Sequence, residues 1–145
     1  MRAPPPSGGH VPDGFVLYHR PSPYLDLIGP LYESADDSSV VRLLVDDRHT
    51  NARGFLHAGL LVAVADTIMG HTLQRSAPGA GGLVTVSLTT DFTGPANIGD
   101  WLEGRATVRR QGRRISFGDC AFHVGERLVL TASGIFATVG ATATP

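Results

Sequence analysis

The sequence predicts an α+β domain in which one antiparallel sheet wraps one long central helix. Three observations predict it. Residues 57–76 are a single, almost wholly apolar stretch of helical length, closed by the breaker sequence APGAGG. The segments that follow alternate apolar and polar residues with period two, the pattern of antiparallel strands wet on one face. A half-wet sheet curled around an apolar helix satisfies both patterns at once.

Taken in order, residues 1 to about 14 are rich in Pro, Gly and Ser with little to bury, so a flexible tail is expected. Residues 22–29, SPYLDLIG, carry an N-cap at Ser22, Pro at the next position and Gly29 as a stop, and predict a short helix. Residues 31–34 and 39–45 hold the β-branched and apolar residues of a strand pair, or of one bent strand, around the turn-forming ADDS. A polar loop, DDRHTNARGF, covers residues 46–55. The helix that follows would run about 30 Å at ~1.5 Å per residue. Leu60, Leu61, Val62, Ala63, Val64, Ala65, Ile68 and Met69 cover nearly all of its circumference, so it is expected to be buried on most sides.

Beyond the helix, Val84, Val86 and Leu88 alternate with Thr85, Ser87 and Thr89. Ala106 and Val108 alternate with Arg105, Thr107 and Arg109, and Ile135, Ala137 and Val139 with Phe136 and Thr138. Each run is expected to be a half-buried antiparallel strand. With turn signals at Gln111-Gly112 and Val124-Gly125, the last third reads as a meander of hairpins, and about four antiparallel strands are expected after the helix.

A chain of 145 residues is the size of one domain, and its apolar fraction of 42% is that of a folded protein. The 12 basic residues, all Arg, against 13 acidic ones give a formal charge of -1, so neither nucleic acid nor an anionic membrane is an expected partner. The lone Cys120 excludes an internal disulfide framework and a multi-cysteine zinc site, and it fits a reducing compartment, so the cytoplasm is expected. No signal-like segment and no run of bilayer length occurs. There is also no G-x-S-x-G elbow, Walker loop, dinucleotide fingerprint, H-E-x-x-H or paired C-x-x-C, and the six histidines lack metal-ligand spacing. Serine-hydrolase, nucleotide and metal chemistry lose ground together.

Asp66 is the anomaly of the long helix. A carboxylate among Ala63, Val64, Ala65, Thr67, Ile68 and Met69 is costly to bury unless paired, hydrogen-bonded or facing a cleft, and misplaced ionisable groups concentrate at active sites. The helix start, GFLHAGL, offers backbone N–H groups with no intrahelical acceptor, aligned with the positive end of the macrodipole, that could receive an oxyanion. Ala58 and Gly59 leave room for close approach. His57 reads equally as a cap and as a catalytic group, and Asn51 as a turn residue or as an amide that orients water. Arg109, Arg110, Arg113 and Arg114 bracket a hairpin turn, either as a solvated tip or as phosphate ligands.

Residues 51–70, NARGFLHAGLLVAVADTIMG, resemble the N-x-x-G-x-(L/V)-H-G-G-x-x-x-x-x-x-D segment of the phenylacetate-degradation (PaaI-like) thioesterases of the 4-hydroxybenzoyl-CoA thioesterase superfamily. The likeness extends through VTVSLTTDFTGPANIGD and loosely to about Gly140, with residues 1 to about 20 outside it. It implies a hotdog fold over residues 21–141 behind a tail at 1–20, and metal-free, cofactor-free hydrolysis of acyl-CoA, with CoA entering as part of the substrate. It makes Asp66 the general base or nucleophile and Asn51 a water-orienting partner. The Ala58 N–H becomes the oxyanion donor, Thr85 lies beside the acyl group, and His57 supports the helix start. Ala58 replaces the first glycine of the H-G-G pattern. Gly94 stands where relatives commonly carry Arg, leaving Arg113 and Arg114 as candidate CoA contacts, with Gly59 lining the substrate site.

Asp66 lies nine residues beyond His57, about 13 Å along a straight helix. One carbonyl cannot meet both ends of that distance. Oxyanion donor and Asp66 must then come from different subunits, so a homodimer is the expected catalytic unit, with a tetramer built as a dimer of dimers also open. Two other readings stand beside hydrolysis: a hotdog acyl-CoA hydratase or dehydratase, and a non-catalytic acyl-CoA binding module.

Overall fold

The computed structural model describes residues 10–140 apart from positions 19 and 21. Among the described residues seven antiparallel strands form one sheet in the order β1-β2-β3-β5-β6-β7-β4. The elements are β1 (Phe15–Leu17), α1 (Pro23–Ile28), β2 (Leu31–Ser34), β3 (Val40–Leu44), α2 (Ala58–Ser76), β4 (Gly82–Phe92), β5 (Trp101–Arg110), β6 (Ile115–Val124) and β7 (Arg127–Val139). A single 3-10 turn, Asp47–His49, precedes α2.

Local signals place the helices as expected. The Ser22 hydroxyl accepts from the Leu25 N–H at 3.1 Å, and Pro23 opens α1 where its missing N–H has no cost. Part of the expected tail at 1–20 is the strand β1. Phe15–Leu17 pair with β2, the Arg42 guanidinium lies 4.3 Å over the Phe15 ring, and Tyr18 is buried. Apolar side chains within reach of an open sheet edge order that stretch. Residues 1–9 and 141–145 lie outside the described residues.

The inner face of the sheet holds α2. Leu60, Leu61, Val64, Ala65, Ile68, Met69 and Leu73 pack in one core with Leu102, Phe122, Leu130 and Phe136. Glycines at inward positions make room first for core rings and then for the helix: a Cβ on Gly104 would stand 2.5 Å from the Phe122 ring and 3.0 Å from Ile68 Cδ1, and one on Gly134 2.6 Å from the Phe136 ring and 3.3 Å from Met69 Cε. α2 is buried on most sides, and the remaining side is less covered. Val62, Ala63, Asp66, Thr67, Gly70 and Gln74 are only half-buried, so one side of the helix is open.

The expected meander of the last third is β5, β6 and β7, and β4 lies beyond β7 at the sheet edge. In β7 the core-facing residue is Phe136, 2% exposed, while Val139 is 43% exposed. Both faces of that strand carry apolar residues, and alternation alone does not say which face meets the helix. In β5 the buried residue is Ala106, and the ladder shifts between Val108 and Arg110, leaving Val108 outside the core. In β4 the register shifts between Thr85 and Ser87, with Val86 as the extra residue. A bulge reverses the phase. Leu83 and Leu88 pack against the core, Thr85 faces α2, and Val84 and Val86 are 46% and 58% exposed.

Candidate active site

The start of α2 is built from the loop before it. The Asn51 side-chain oxygen accepts from the Arg53 N–H at 2.9 Å and from the Phe55 N–H at 3.3 Å. An Asx turn of this kind fixes the loop. The chain then doubles back through Gly54, whose φ of +85° suits glycine, and Thr50 bridges Leu56.

His49 anchors this loop from below. It is 1% exposed, its Nδ1 accepts from the Asp46 N–H at 2.9 Å, and its Nε2 lies 2.6 Å from the Ile28 carbonyl oxygen. With Nδ1 accepting a backbone N–H, Nε2 is the ring nitrogen that donates to that carbonyl. The His49 carbonyl in turn accepts the His57 N–H at 2.8 Å. Sequence reasoning passed over His49. Its signal was the D-x-x-H spacing of a capping box at Asp46.

His57 is the N-cap of α2, with Nδ1 accepting from the Gly59 N–H at 2.9 Å. A Cβ on Gly59 would lie 3.0 Å from His57 Cε1, so position 59 suits glycine because the capping ring lies over it. Gly59 therefore spends its N–H on the cap, while Ala58, exposed, has no acceptor for its N–H among the described residues.

Asp66 lies on the open side of α2, half-buried, and Thr85 Oγ1 donates to its Oδ1 at 2.7 Å. The β4 bulge aims that hydroxyl at the helix. Asp66 has no Arg partner among the described residues, and the carboxylate is left with one fixed oxygen and one open one. Within the chain, Ala58 and Asp66 are separated by about 12 Å of helix, at ~1.5 Å per residue. Arg113 and Arg114 are exposed on the β5–β6 hairpin, beside the far end of α2, where Ser76 Oγ donates to Gln111 Oε1 at 2.6 Å. The fold thus brings Asp66 to Thr85, gathers Asn51, His57, Ala58 and Gly59 at the helix start, and holds the two arginines at the opposite end of the subunit. Among the described residues no group of His, Cys, Asp and Glu is placed to hold a metal ion, and no helix is long and apolar enough to cross a membrane.

One sheet curled around one long helix, with a lone carboxylate on the open helix side, is the hotdog architecture of thioesterases. The chain belongs to the thioesterase superfamily, whose family model matches residues 53–131. It is 43% identical over 129 residues to "Putative esterase PA0474" of Pseudomonas aeruginosa, covering 88% of this chain and 96% of that protein. It is 32% identical over 90 residues to acyl-coenzyme A thioesterase 13 of Homo sapiens, covering 60% of this chain and 61% of that one. Among solved structures it is similar to the PaaI protein of the E. coli phenylacetic acid degradation operon, at TM-score 0.65 and 26% identity, over 70% of this chain and 72% of that chain. The chain is a thioester hydrolase of this superfamily.

Proposed function

We propose that the protein hydrolyses an acyl-CoA, with an aryl or a short- to medium-chain acyl group, to the free acid and CoA in the cytoplasm, without metal or cofactor. The observation that carries this reading is the Thr85–Asp66 pair, 2.7 Å apart on the open side of α2. A hydroxyl donor on one carboxylate oxygen orients the other for proton abstraction or attack.

The acyl carbonyl oxygen points at the Ala58 N–H of one subunit, where the helix start stabilises the charge that develops on it. Asp66 of the second subunit takes a proton from water as the oxygen attacks the carbonyl carbon, or attacks that carbon itself to form an anhydride that water then opens. The C–S bond breaks and CoA leaves as the thiol, carrying a proton. Two subunits are needed because about 12 Å of helix separates Ala58 from Asp66 in one chain. The long edge strand β4 supports the pairing: among the described residues its outer backbone edge has no partner strand, and Val84, Val86 and Phe92 are 46%, 58% and 48% exposed. Antiparallel pairing of two such strands about a two-fold axis sets the two α2 helices in opposite directions. The name of the human relative, acyl-coenzyme A thioesterase 13, supports CoA as the leaving group.

Asp66→Asn is the test. Release of free thiol from a panel of acyl-CoA esters should fall about 10²- to 10⁴-fold, the range of a lost acid–base group, with circular dichroism and sedimentation unchanged. An Asn variant that turned over at the wild-type rate would refute the assignment. Tight acyl-CoA binding by the wild type with no thiol release would favour a binding module instead.

A further inference from the structure

Arg127 opens β7 and takes no part in the chemistry above, yet its guanidinium grips the turn against which the start of α2 rests. We propose that Arg127 is a positioning residue for the hydrolysis, acting through the 93–100 turn to hold the Ala58 N–H where the oxyanion forms. The inference rests on the reading of Ala58 given under the proposed function.

Arg127 Nη1 donates to the Pro95 carbonyl oxygen, and Nη2 lies 4.0 Å from Asp100 Oδ2. That same Asp100 oxygen accepts the Asn97 N–H at 2.8 Å, so one guanidinium reaches both sides of the turn. The far face of the turn carries the load onward. The Ala96 carbonyl accepts the Leu56 N–H at 2.9 Å, and Asn97 bridges Phe55. Leu56 is buried and stands two residues before Ala58. Contacts therefore run from Arg127 to Pro95, across one peptide to Ala96, over to Leu56 and on to the amide that meets the substrate.

Two features make this grip matter. Within residues 93–99 only Ala96 is buried, while Thr93, Pro95, Asn97, Ile98 and Gly99 are exposed; turns with so few buried contacts open at low free energy unless tied down. Position 94 is also glycine where the side chain crosses, since a Cβ there would stand 3.0 Å from Arg127 Nη1. On its other side the helix start hangs from the buried His49 carbonyl, a hold that needs no surface residue. The Arg127 side is the adjustable one, and only a planar fork of donors can address Pro95 and Asp100 together.

The experiment compares wild type, Arg127→Met and Arg127→Lys on an acyl-CoA and on the N-acetylcysteamine thioester of the same acid, which lacks the CoA phosphates. Arg127→Met should lower kcat about tenfold to 100-fold on both thioesters, the scale of a misplacement near 1 Å, with KM changed far less, and lysine should restore part of the loss. Amide exchange of residues 55–60 should quicken in Arg127→Met while that of 61–73 stays at the wild-type rate. If Arg127→Met does not fold, Gly94→Ala keeps Arg127 and crowds Nη1, and should give the same pattern more weakly. A loss confined to the KM of the acyl-CoA ester would overturn the proposal and make Arg127 a phosphate contact. Folded variants with unchanged kcat and unchanged exchange at 55–60 would overturn it as well. If the wild type released thiol from neither ester, the proposed hydrolysis would fail, and the exchange rates would still decide whether Arg127 governs the helix start.

Discussion

Thr85→Val removes one hydroxyl and keeps the shape of the side chain, so it isolates the hydrogen bond to Asp66. The bond is 2.7 Å long and joins a neutral donor to a carboxylate that is half-buried. Hydrogen bonds to charged groups contribute about 1.5–3 kcal/mol, and solvent access at this edge strand places the value at the lower end. If that energy serves to orient Asp66, its loss should cost about tenfold in kcat, since ~1.4 kcal/mol is a factor of ten. Stability should barely change, because Thr85 is exposed and β-branched valine suits a strand. The assay is thiol release by the wild type, Thr85→Val, Asp66→Asn and the double variant. Because Thr85 acts through Asp66, its substitution should cost little once Asp66 is asparagine. A full tenfold loss persisting in the double variant, or a Thr85→Val enzyme with wild-type kcat, would refute the reasoning.

Two further outcomes follow from the fold. Val86→Lys places a charge at the bulge of the exposed edge strand, where a second β4 would dock; sedimentation should show a folded monomer and thiol release should collapse, and an active, dimeric variant would sink the composite site. Tyr18 is 4% exposed and shares a 2.7 Å hydrogen bond with His71 Nδ1, and burial first of all pushes its phenol up to about 12 from 10.0. The raised value favours the neutral phenol in the fold, so its contribution is whole below pH 10 and is lost as pH climbs toward 12. Urea midpoints should fall over that window in the wild type and fall less in Tyr18→Phe; identical alkaline profiles would contradict the assignment.

How much was legible depends on whether a signal is local. The Ser22 cap, the Gly29 stop, the long helix and the number of strands after it all rest on residues within one turn or one pleat of each other, and each stands where expected. The paired role of His57 was half legible. The residue was seen at the helix start, but that Gly59 would spend its N–H on the imidazole and leave Ala58 as the open donor is a matter of ring placement. Arg113 and Arg114 illustrate the converse, since a cluster of arginines on a turn says nothing about which end of the helix the turn lies beside.

The sequence by itself determined the class of fold, through the change from one apolar helix to period-two strands, and it singled out Asp66 because a carboxylate in such a helix needs a reason. Tertiary structure decided what surrounds that carboxylate. One extra residue at Val86 turns Thr85 toward α2, across a separation of 19 residues in the chain, and the placement of β4 beyond β7 leaves that side of the helix open. The physical reason is that alternation reports that a strand has two faces without saying which is inner, and a bulge exchanges them at a single position. The same holds for Arg127 and Pro95: their meeting depends on where two distant loops leave the sheet, and no spacing within either segment encodes it.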